Sequence, residues 1–172
     1  MANTIIKTTS ILVFSTLGLF FIFYLFFKND EYYSNSLKIN SFVLPLIYAG
    51  IIFFINYNLM KKGDYSLRKG FSISFISLTV AGLISFGFIF GFIYYIDIET
   101  ENLLTSQWFH TLKTNAIKDK PTNIKEIISS LEKAQKSGIS FLNSKNLSIF
   151  CFMQFFFYTI LSFFISFLIR TR

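Results

Sequence analysis

The sequence predicts an all-α membrane protein with four transmembrane helices and an extracytoplasmic helical segment between the third and the fourth. Of the 172 residues, 53% are hydrophobic and only 15% are charged, and 25 are phenylalanine. A water-soluble domain of this length cannot bury so much apolar surface. Four uncharged runs, at residues 8–27, 39–60, 70–96 and 146–169, each reach or exceed the about 20 residues that span a bilayer core of about 30 Å.

The crossings are expected to be helices and not strands of a barrel. Barrel strands alternate apolar and polar residues, whereas a segment such as GLFFIFYLFF is apolar at every position and offers no polar lumen face. A helix also satisfies its own backbone hydrogen bonds, which hydrocarbon requires. The whole chain is therefore predicted to be a single integral membrane domain.

The first run, after Lys7, resembles a signal peptide but is expected to remain as a permanent helix. The following KNDEYYSNS lacks a small-x-small cleavage site, and the run exceeds the usual apolar core of about 7–15 residues. Beyond it, Tyr32 and Tyr33 are expected in an aromatic belt at the membrane interface, with Lys28 and neighbouring acids marking the water.

The second crossing contains Pro45 near its start and Asn56 near its end. Proline in the first turn of a helix costs no hydrogen bond, and we expect Pro45 there. The alternative is a kinked or discontinuous helix of the kind that frames transporter sites. No matching break in another helix supports that alternative.

The third crossing carries the clearest packing signal. Small residues at positions 74, 77, 81 and 85 share one helical face, and Gly87 and Gly91 form a second small step. Small residues let another helix approach closely, so we expect contacts within the chain, with self-association or a protein partner as the alternative. At its end, Tyr94 and Tyr95 are expected at the interface, and Asp97, Glu99 and Glu101 are expected to mark the water beyond it.

The segment at residues 97–145 is predicted to hold two helices. Leu104, Trp108 and Leu112 form one stripe of a helix from about 101 to 118. A second, amphipathic helix starts at Ile124, with Asn123 or Thr122 as its cap and Gly138 at its end. Their apolar faces are expected to contact the lipid interface or the helix bundle, or else the two helices pack on each other.

Basic residues gather on one side of the predicted bundle. The amino terminus, the 61–69 loop and the carboxyl tail carry seven basic residues (Lys7, Lys61, Lys62, Arg68, Lys69, Arg170 and Arg172) against Asp64. The opposite side has nine lysines and eight acids. We therefore expect both termini in the cytoplasm, in a multi-pass protein of the cell (inner) membrane. Orientation by charge also explains the basic residues without nucleic acid as a partner.

The sequence offers little material for an enzyme site. His110 is the lone histidine and would need partners such as Asp97, Glu99, Glu101 or Asp119. A zinc site takes three or four ligands, and acids at a helix exit need no function to explain them. We therefore predict no catalytic, cofactor or metal site.

Polar groups inside the crossings are few. Gln154 lies within the fourth crossing and is expected to face the bundle and make an interhelical hydrogen bond. Cys151 lies in the same run, where an inert buried thiol is expected. No Asp, Glu, Lys or Arg occupies the centre of a crossing, which argues against an ion-coupled transporter or proton relay.

The stretches DYSLRKGFSISF and GFIYYIDIETEN, with Tyr65, Ser66 and Gly70 in the first and Tyr94 and Asp97 in the second, resemble a family of small bacterial four-pass membrane proteins, domain of unknown function 4199. Phe71 and Glu99 add to the likeness. Family members commonly place proline where Ile98 stands here. The resemblance implies an inner-membrane location and brings no assigned activity.

Together these features predict a non-enzymatic accessory, scaffold or complex subunit of the bacterial envelope, in contact with the lipid bilayer. Two alternatives stay open. A small-solute transporter or channel predicts a polar cavity lined by Gln154, Asn56 and the serines of the third helix. A membrane-embedded lipid-modifying enzyme predicts His110 beside at least two of its candidate acids.

Overall fold

A computed structural model describes residues 1–119 and 123–170 of the chain. Within them the chain forms six helices and no strand. They are α1 (Ala2–Phe27), α2 (Tyr32–Lys61), α3 (Leu67–Ile96), α4 (Ile98–Asp119), α5 (Ile124–Lys136) and α6 (Ser144–Arg170). Of these, α1, α2, α3 and α6 are long and apolar enough to cross a membrane, which confirms the predicted fold class.

Helix α2 begins seven residues before the predicted crossing, at Tyr32. The prediction that Tyr32 and Tyr33 belong to an interfacial belt is wrong, because both side chains are buried. Tyr32 stacks on Phe23 of α1 with ring centroids 5.1 Å apart. This aromatic contact fixes the start of α2 against the end of α1. A search for uncharged runs places the start of the helix later, because polar and charged residues surround Tyr32.

Pro45 lies well inside α2, in the first turn of its second α-helical part, Leu44–Lys61. A π-helical turn, Ile39–Val43, precedes it. Proline has no N–H to donate to the carbonyl four residues earlier and its ring collides with that carbonyl. The wider π turn, closed by the Leu44 N–H donating to the Ile39 carbonyl, accommodates this mismatch without breaking the helix.

The loop between α2 and α3 is closed by short-range contacts. Gly63 ends α2 with φ of +70°, a left-handed conformation that glycine adopts without strain. Ser66 caps α3 by accepting a hydrogen bond from the Lys69 N–H at 3.3 Å. The Tyr65 hydroxyl donates to the Ser166 carbonyl at 2.6 Å, which ties the loop to the end of α6.

Helix α3 is the centre of the bundle. It packs most extensively against α1 and α6, and 33% of its most apolar window is buried, the largest share among the four crossings. The predicted small-residue face (Ser74, Ser77, Ala81 and Ser85) is buried inside the chain. Cβ atoms added at Gly87 and Gly91 would meet nothing within 4 Å, so this glycine pair faces away from the rest of the chain.

The outside of the crossings is apolar. Phenylalanine, leucine and isoleucine side chains are exposed along all four, among them Phe14 and Phe26 of α1, both 76% exposed. Inside the bundle, the Asn56 amide donates to Ser74 Oγ at 2.7 Å. An apolar outer surface of this extent is the one expected where hydrocarbon surrounds the helices.

The two ends of the bundle differ. The start of α1, the Gly63 loop and the end of α6 share one end, the basic end. Helices α4 and α5 lie at the other, the capped end, and pack against each other. Asn123 precedes α5 without a side-chain capping bond, and Gly138 ends it with φ of +74°; Thr122, the other predicted cap, lies outside the described residues.

Gly82 in α3 should not tolerate a larger residue. A Cβ added there would lie 2.7 Å from the Tyr158 hydroxyl oxygen and 2.8 Å from its ring, so the buried ring would have to shift. We expect Gly82→Ala to lower the free energy of unfolding by about 1–3 kcal/mol, measured as thermal unfolding in detergent. Gly87→Ala is the matched control and should be neutral or stabilising. Equal effects of the two variants would contradict the packing described.

Candidate ligand-binding cleft

Asp97 joins the capped end to the bundle. It lies between α3 and α4, and its Oδ2 accepts hydrogen bonds from the Tyr24 hydroxyl at 2.5 Å, the Lys28 ammonium at 2.8 Å and the Thr100 hydroxyl at 2.6 Å. Its Oδ1 accepts from the Thr100 N–H at 3.1 Å, which caps the start of α4. Asp97 therefore holds the end of α1 and the start of α4 at one point.

The charge of Asp97 is stabilised in place. Burial raises the pKa of the carboxyl group, but the hydrogen bonds from Lys28, Thr100 and Tyr24 outweigh burial and hold its pKa well below the usual range. The same contact raises the pKa of the Lys28 ammonium. The expectation that Asp97 merely marks the water beyond the membrane is wrong, because the carboxylate is mostly shielded and fully paired.

Helix α4 is fastened at two further points. The Gln107 side chain accepts a hydrogen bond from the Tyr33 N–H at 2.7 Å and donates to the Asn29 carbonyl at 3.0 Å. Glu101 accepts from the Ser140 hydroxyl at 2.5 Å, which brings the chain before α6 against α4. These contacts hold α4 over the end of the bundle, where α4 and α5 together form what we call the cap.

Below the cap lies an apolar cluster. Phe23, Tyr32, Tyr33, Ile93 and Leu104 form its buried centre, and Trp108, Phe141 and Leu142 pack around it. The predicted stripe of Leu104 and Trp108 thus contacts the helix bundle. The Phe141 ring packs on both Tyr33 and Trp108, at 5.3 and 5.7 Å between centroids.

This cluster closes the capped end of a cleft of about 580 Å³, which lies between the capped-end halves of α1, α2, α3 and α6. Most of its lining is apolar or aromatic, with Phe86, Ile89 and Phe157 among the walls. Along its rim, Leu37 and Ser41 of α2 and Phe150 and Met153 of α6 are exposed. The cleft therefore opens sideways between α2 and α6, toward the surroundings of the helices and not toward the ends of the bundle.

Neutral polar side chains stand at the deep end of the cleft. The Tyr48 hydroxyl and Thr16 Oγ1 are 2.7 Å apart and form a hydrogen bond. The Tyr158 ring leans on Tyr48, with centroids 5.9 Å apart, and its hydroxyl oxygen lies against α3 at Gly82. Ser85 Oγ makes no hydrogen bond, and the Tyr158 and Ser85 side chains are only 3% and 2% exposed.

Gln154 also lines the cleft. The predicted interhelical hydrogen bond is absent: the side chain makes no hydrogen bond to any residue that the structure describes, because the cleft and not a neighbouring helix faces it. Cys151 is half-buried and not fully buried. Asn56, also expected in a transporter cavity, pairs with Ser74 toward the basic end and does not line the cleft.

The candidate enzyme residues are not brought together. His110 is exposed on α4, and Glu101 and Asp119 lie on the same helix about 13 Å to either side at the helical rise of 1.5 Å per residue. Asp97, before α4, is further away along the same axis, and Glu99 is exposed. Within residues 1–119 and 123–170 no group of three or more His, Cys, Asp or Glu side chains could hold a metal ion.

A family profile described as Protein of unknown function (DUF4199) matches residues 9–171, nearly the whole chain. The chain belongs to the DUF4199 family. No curated protein and no solved structure matches it. The predicted resemblance is thereby confirmed, and the structure supplies reasons for the residues that carry it in this DUF4199 protein. The Tyr65 ring lies where a Cβ on residue 70 would stand, 2.6 Å away, so Gly70 is needed, and Ser66 is the helix cap.

Sequence reasoning missed the cleft and the Asp97 junction. The cleft depends on which halves of the helices diverge, and no local pattern reports that divergence. A partial signal existed for Asp97, since it is the first charge after a 27-residue uncharged run and precedes Thr100 at capping distance. Its partners Tyr24 and Lys28 are far away in sequence and are brought near only by folding.

Asp97→Asn should loosen the cap while keeping a residue that can cap α4. Because the folded-state pKa of Asp97 is depressed, its contribution is complete above the unfolded value of about 3.9 and is lost as pH falls through the folded-state pKa. We expect the variant to lose about 1–3 kcal/mol near pH 7, the range for hydrogen bonds to a charged group. Thermal unfolding across pH measures it.

The gap in unfolding temperature between wild type and Asp97→Asn should stay constant from about pH 7 to pH 5 and narrow below about pH 4. Asp30→Asn, an exposed acid at the same end, is the control and should change little. A gap that persists undiminished in acid would show that the Asp97 charge is not what holds the cap.

Proposed function

We propose that this DUF4199 protein is a non-enzymatic accessory protein of the bacterial cytoplasmic membrane that binds an apolar, membrane-dissolved molecule in the cleft. The observation that carries the proposal is the cleft itself. Its volume of about 580 Å³ falls in the range of small-molecule sites, about 300–1,000 Å³. Apolar walls with a few converging polar groups are the usual composition of such sites.

The polar groups of the cleft favour binding over chemistry. The described residues that line it contribute hydroxyl and amide groups and no charged or histidine side chain. General acid–base catalysis requires a group whose pKa lies near the working pH, and ion-coupled transport normally uses an ionisable residue in the membrane. A neutral site recognises a ligand by shape and hydrogen bonding alone.

The proposed orientation places the basic end in the cytoplasm. The start of α1, the Gly63 loop and the end of α6 lie there, with the positive charge that favours cytoplasmic loops. The capped end, with α4 and α5, then faces the extracytoplasmic side, and the cleft opens toward the outer half of the bilayer. A protein partner or a second copy would use the outward step at Gly87 and Gly91 of α3, where space is free.

Photolabelling tests the binding proposal in membranes. An alkane that carries an aryl diazirine is incorporated into vesicles with the protein, activated by light, and its attachment sites are mapped by mass spectrometry. Labelling of lipid-facing residues such as Phe164 should rise in proportion to the probe concentration and should not saturate. We expect labelling of Phe86 and Phe157 in the cleft to saturate and to fall when unlabelled competitor is added.

Gln154→Phe should fill the cleft and abolish saturable labelling, whereas Thr159→Phe, which places the same ring on α6 outside the cleft lining, should leave it intact. Thermal unfolding and labelling at Phe164 establish that both variants are folded in the membrane. Labelling in the cleft that never saturates, or that Gln154→Phe leaves unchanged, would refute the proposal.

A further inference from the structure

A second cavity lies at the basic end of the bundle. It is an open groove of about 560 Å³ between the end of α2, the start of α3 and the end of α6, which we call the basic-end groove. Met60, Leu67 and Ile169 give it apolar walls, and Ser66 and Arg170 add polar groups. All five lie in the terminal turn of a crossing or directly before it. The groove is therefore at the level where hydrocarbon meets water.

Contacts within the fold give the groove its shape. Tyr65, which also lines it, donates its hydroxyl to the Ser166 carbonyl at 2.6 Å, and its ring lies against Gly70. These contacts tie the loop before α3 to the last turns of α6. Ser66 and Arg170, which are far apart in sequence, are thereby placed beside the same groove.

The positive charge around the groove is not balanced within the chain. Asp64, the one acid among the basic residues of this end, is paired with Lys69. Arg170 makes no ion pair with any residue that the structure describes. Lys62 and Arg68 are exposed next to lining residues in the sequence, and they too lack an acidic partner in the described parts of the chain. A groove with this excess of positive charge attracts an anion.

The two polar side chains of the groove suit a phosphate group. The planar guanidinium of Arg170 presents paired N–H groups that match two oxygens of a phosphate. Ser66 Oγ accepts from the Lys69 N–H at 3.3 Å, which leaves its own O–H to donate to a further phosphate oxygen. Orientation by charge accounts for basic residues at this end, but it does not require that they meet at a groove.

The position of the groove favours a phosphate that belongs to a lipid. Its apolar walls at the edge of the hydrocarbon can contact the first carbons of acyl chains, a contact that a free phosphate ion cannot make. Basic pockets between transmembrane helices on the cytoplasmic side are typical sites for anionic lipid headgroups. The excess of positive charge also disfavours a zwitterionic lipid, because the ammonium group of its headgroup would meet Arg170 and Lys62.

We propose that the basic-end groove binds the headgroup of an anionic phospholipid, with Arg170 and Ser66 holding the phosphate. Met60, Leu67 and Ile169 contact the upper part of the acyl chains. This site lies at the opposite end of the bundle from the cleft, and it goes beyond the proposed function without depending on it.

Native mass spectrometry of the full chain in detergent tests the inference. Phosphatidylglycerol and phosphatidylethanolamine with identical acyl chains are added at equal concentrations, and the ratio of the two bound lipids is measured. Identical chains cancel any contribution of the apolar cleft to this ratio. Wild type should retain phosphatidylglycerol in preference to phosphatidylethanolamine.

Arg170→Gln should lower the ratio by about fivefold, the contribution of one basic residue near an anionic lipid surface. Ser66→Asp keeps a good helix cap but places a carboxylate in the groove, and it should lower the ratio at least as much. Lys7→Gln is the matched control, because it removes the same charge from an exposed position at the same end outside the groove, and it should change the ratio little. Since Arg170 has no ionic partner in the described fold, Arg170→Gln should unfold at the wild-type temperature in lipid-free detergent.

Thermal unfolding separates the two sources of phosphate. Phosphatidylglycerol should raise the unfolding temperature of wild type more than that of Arg170→Gln, because a ligand stabilises the state that binds it. Inorganic phosphate at the same ionic strength should not raise it. An equal rise with inorganic phosphate would show a site for free anions and overturn the lipid assignment.

Equal retention of the two lipids by wild type would overturn the inference. A ratio that Arg170→Gln and Ser66→Asp leave intact, or that Lys7→Gln lowers equally, would assign the preference to diffuse charge and overturn the site. Gln154→Phe, which fills the cleft, should leave the ratio unchanged. Loss of saturable photolabelling in the cleft with an intact lipid ratio would defeat the proposed function alone.

Discussion

Hydrocarbon around the four crossings is the constraint on which the rest of the structure depends. In that solvent two helices gain nothing by burying leucine or phenylalanine against each other, since lipid tails are equally apolar. The bundle accordingly turns many of its phenylalanines outward. Beside buried leucine and isoleucine it packs small and hydroxyl-bearing residues, as on the face of α3 that carries Ser74, Ser77 and Ser85. Close approach, such as that of Tyr158 to Gly82, replaces the hydrophobic effect as the source of specificity.

The same constraint explains why the Asp97 junction lies just outside the crossings. A carboxylate paired with Lys28 and Tyr24 would be costly at the bilayer centre, but at the end of the bundle the ammonium can still reach water. There it fixes the cap, and the cap closes the end of the cleft with Phe141 and Leu142. The junction therefore shapes the cleft without lining it.

The sequence was sufficient for features set by long runs or local chemistry. Uncharged runs predicted the four crossings, the period of small residues predicted the buried face of α3, and Gly138 predicted the end of α5. It failed where one element decides the structure of another. Tyr32 and Tyr33 are buried because α1 and α4 cover them, and Pro45 lies in mid-helix because a π turn absorbs its effect.

The candidate site was predictable only in part. Gln154 stood out as an amide among apolar residues, and its inward direction is correct, but its partner cannot be read from a pattern since the neighbouring helices diverge there. Tyr158 and Ser85 are ordinary residues for a membrane helix, and only the structure shows that they line the cleft. A cleft is a property of helix spacing, which hydropathy does not encode.

Cysteine accessibility in spheroplasts tests the central claim, a hydrocarbon-embedded bundle with its cap outside the cell, most directly. In a Cys151→Ser background, single cysteines replace Lys133 on α5, Lys62 at the basic end and Phe164 on the outer surface of α6. A membrane-impermeant maleimide should label only Lys133→Cys, and Phe164→Cys should react only after the membrane is dissolved. Labelling of Lys62→Cys in place of Lys133→Cys would reverse the orientation, and labelling of Phe164→Cys in intact membranes would contradict the account as a whole.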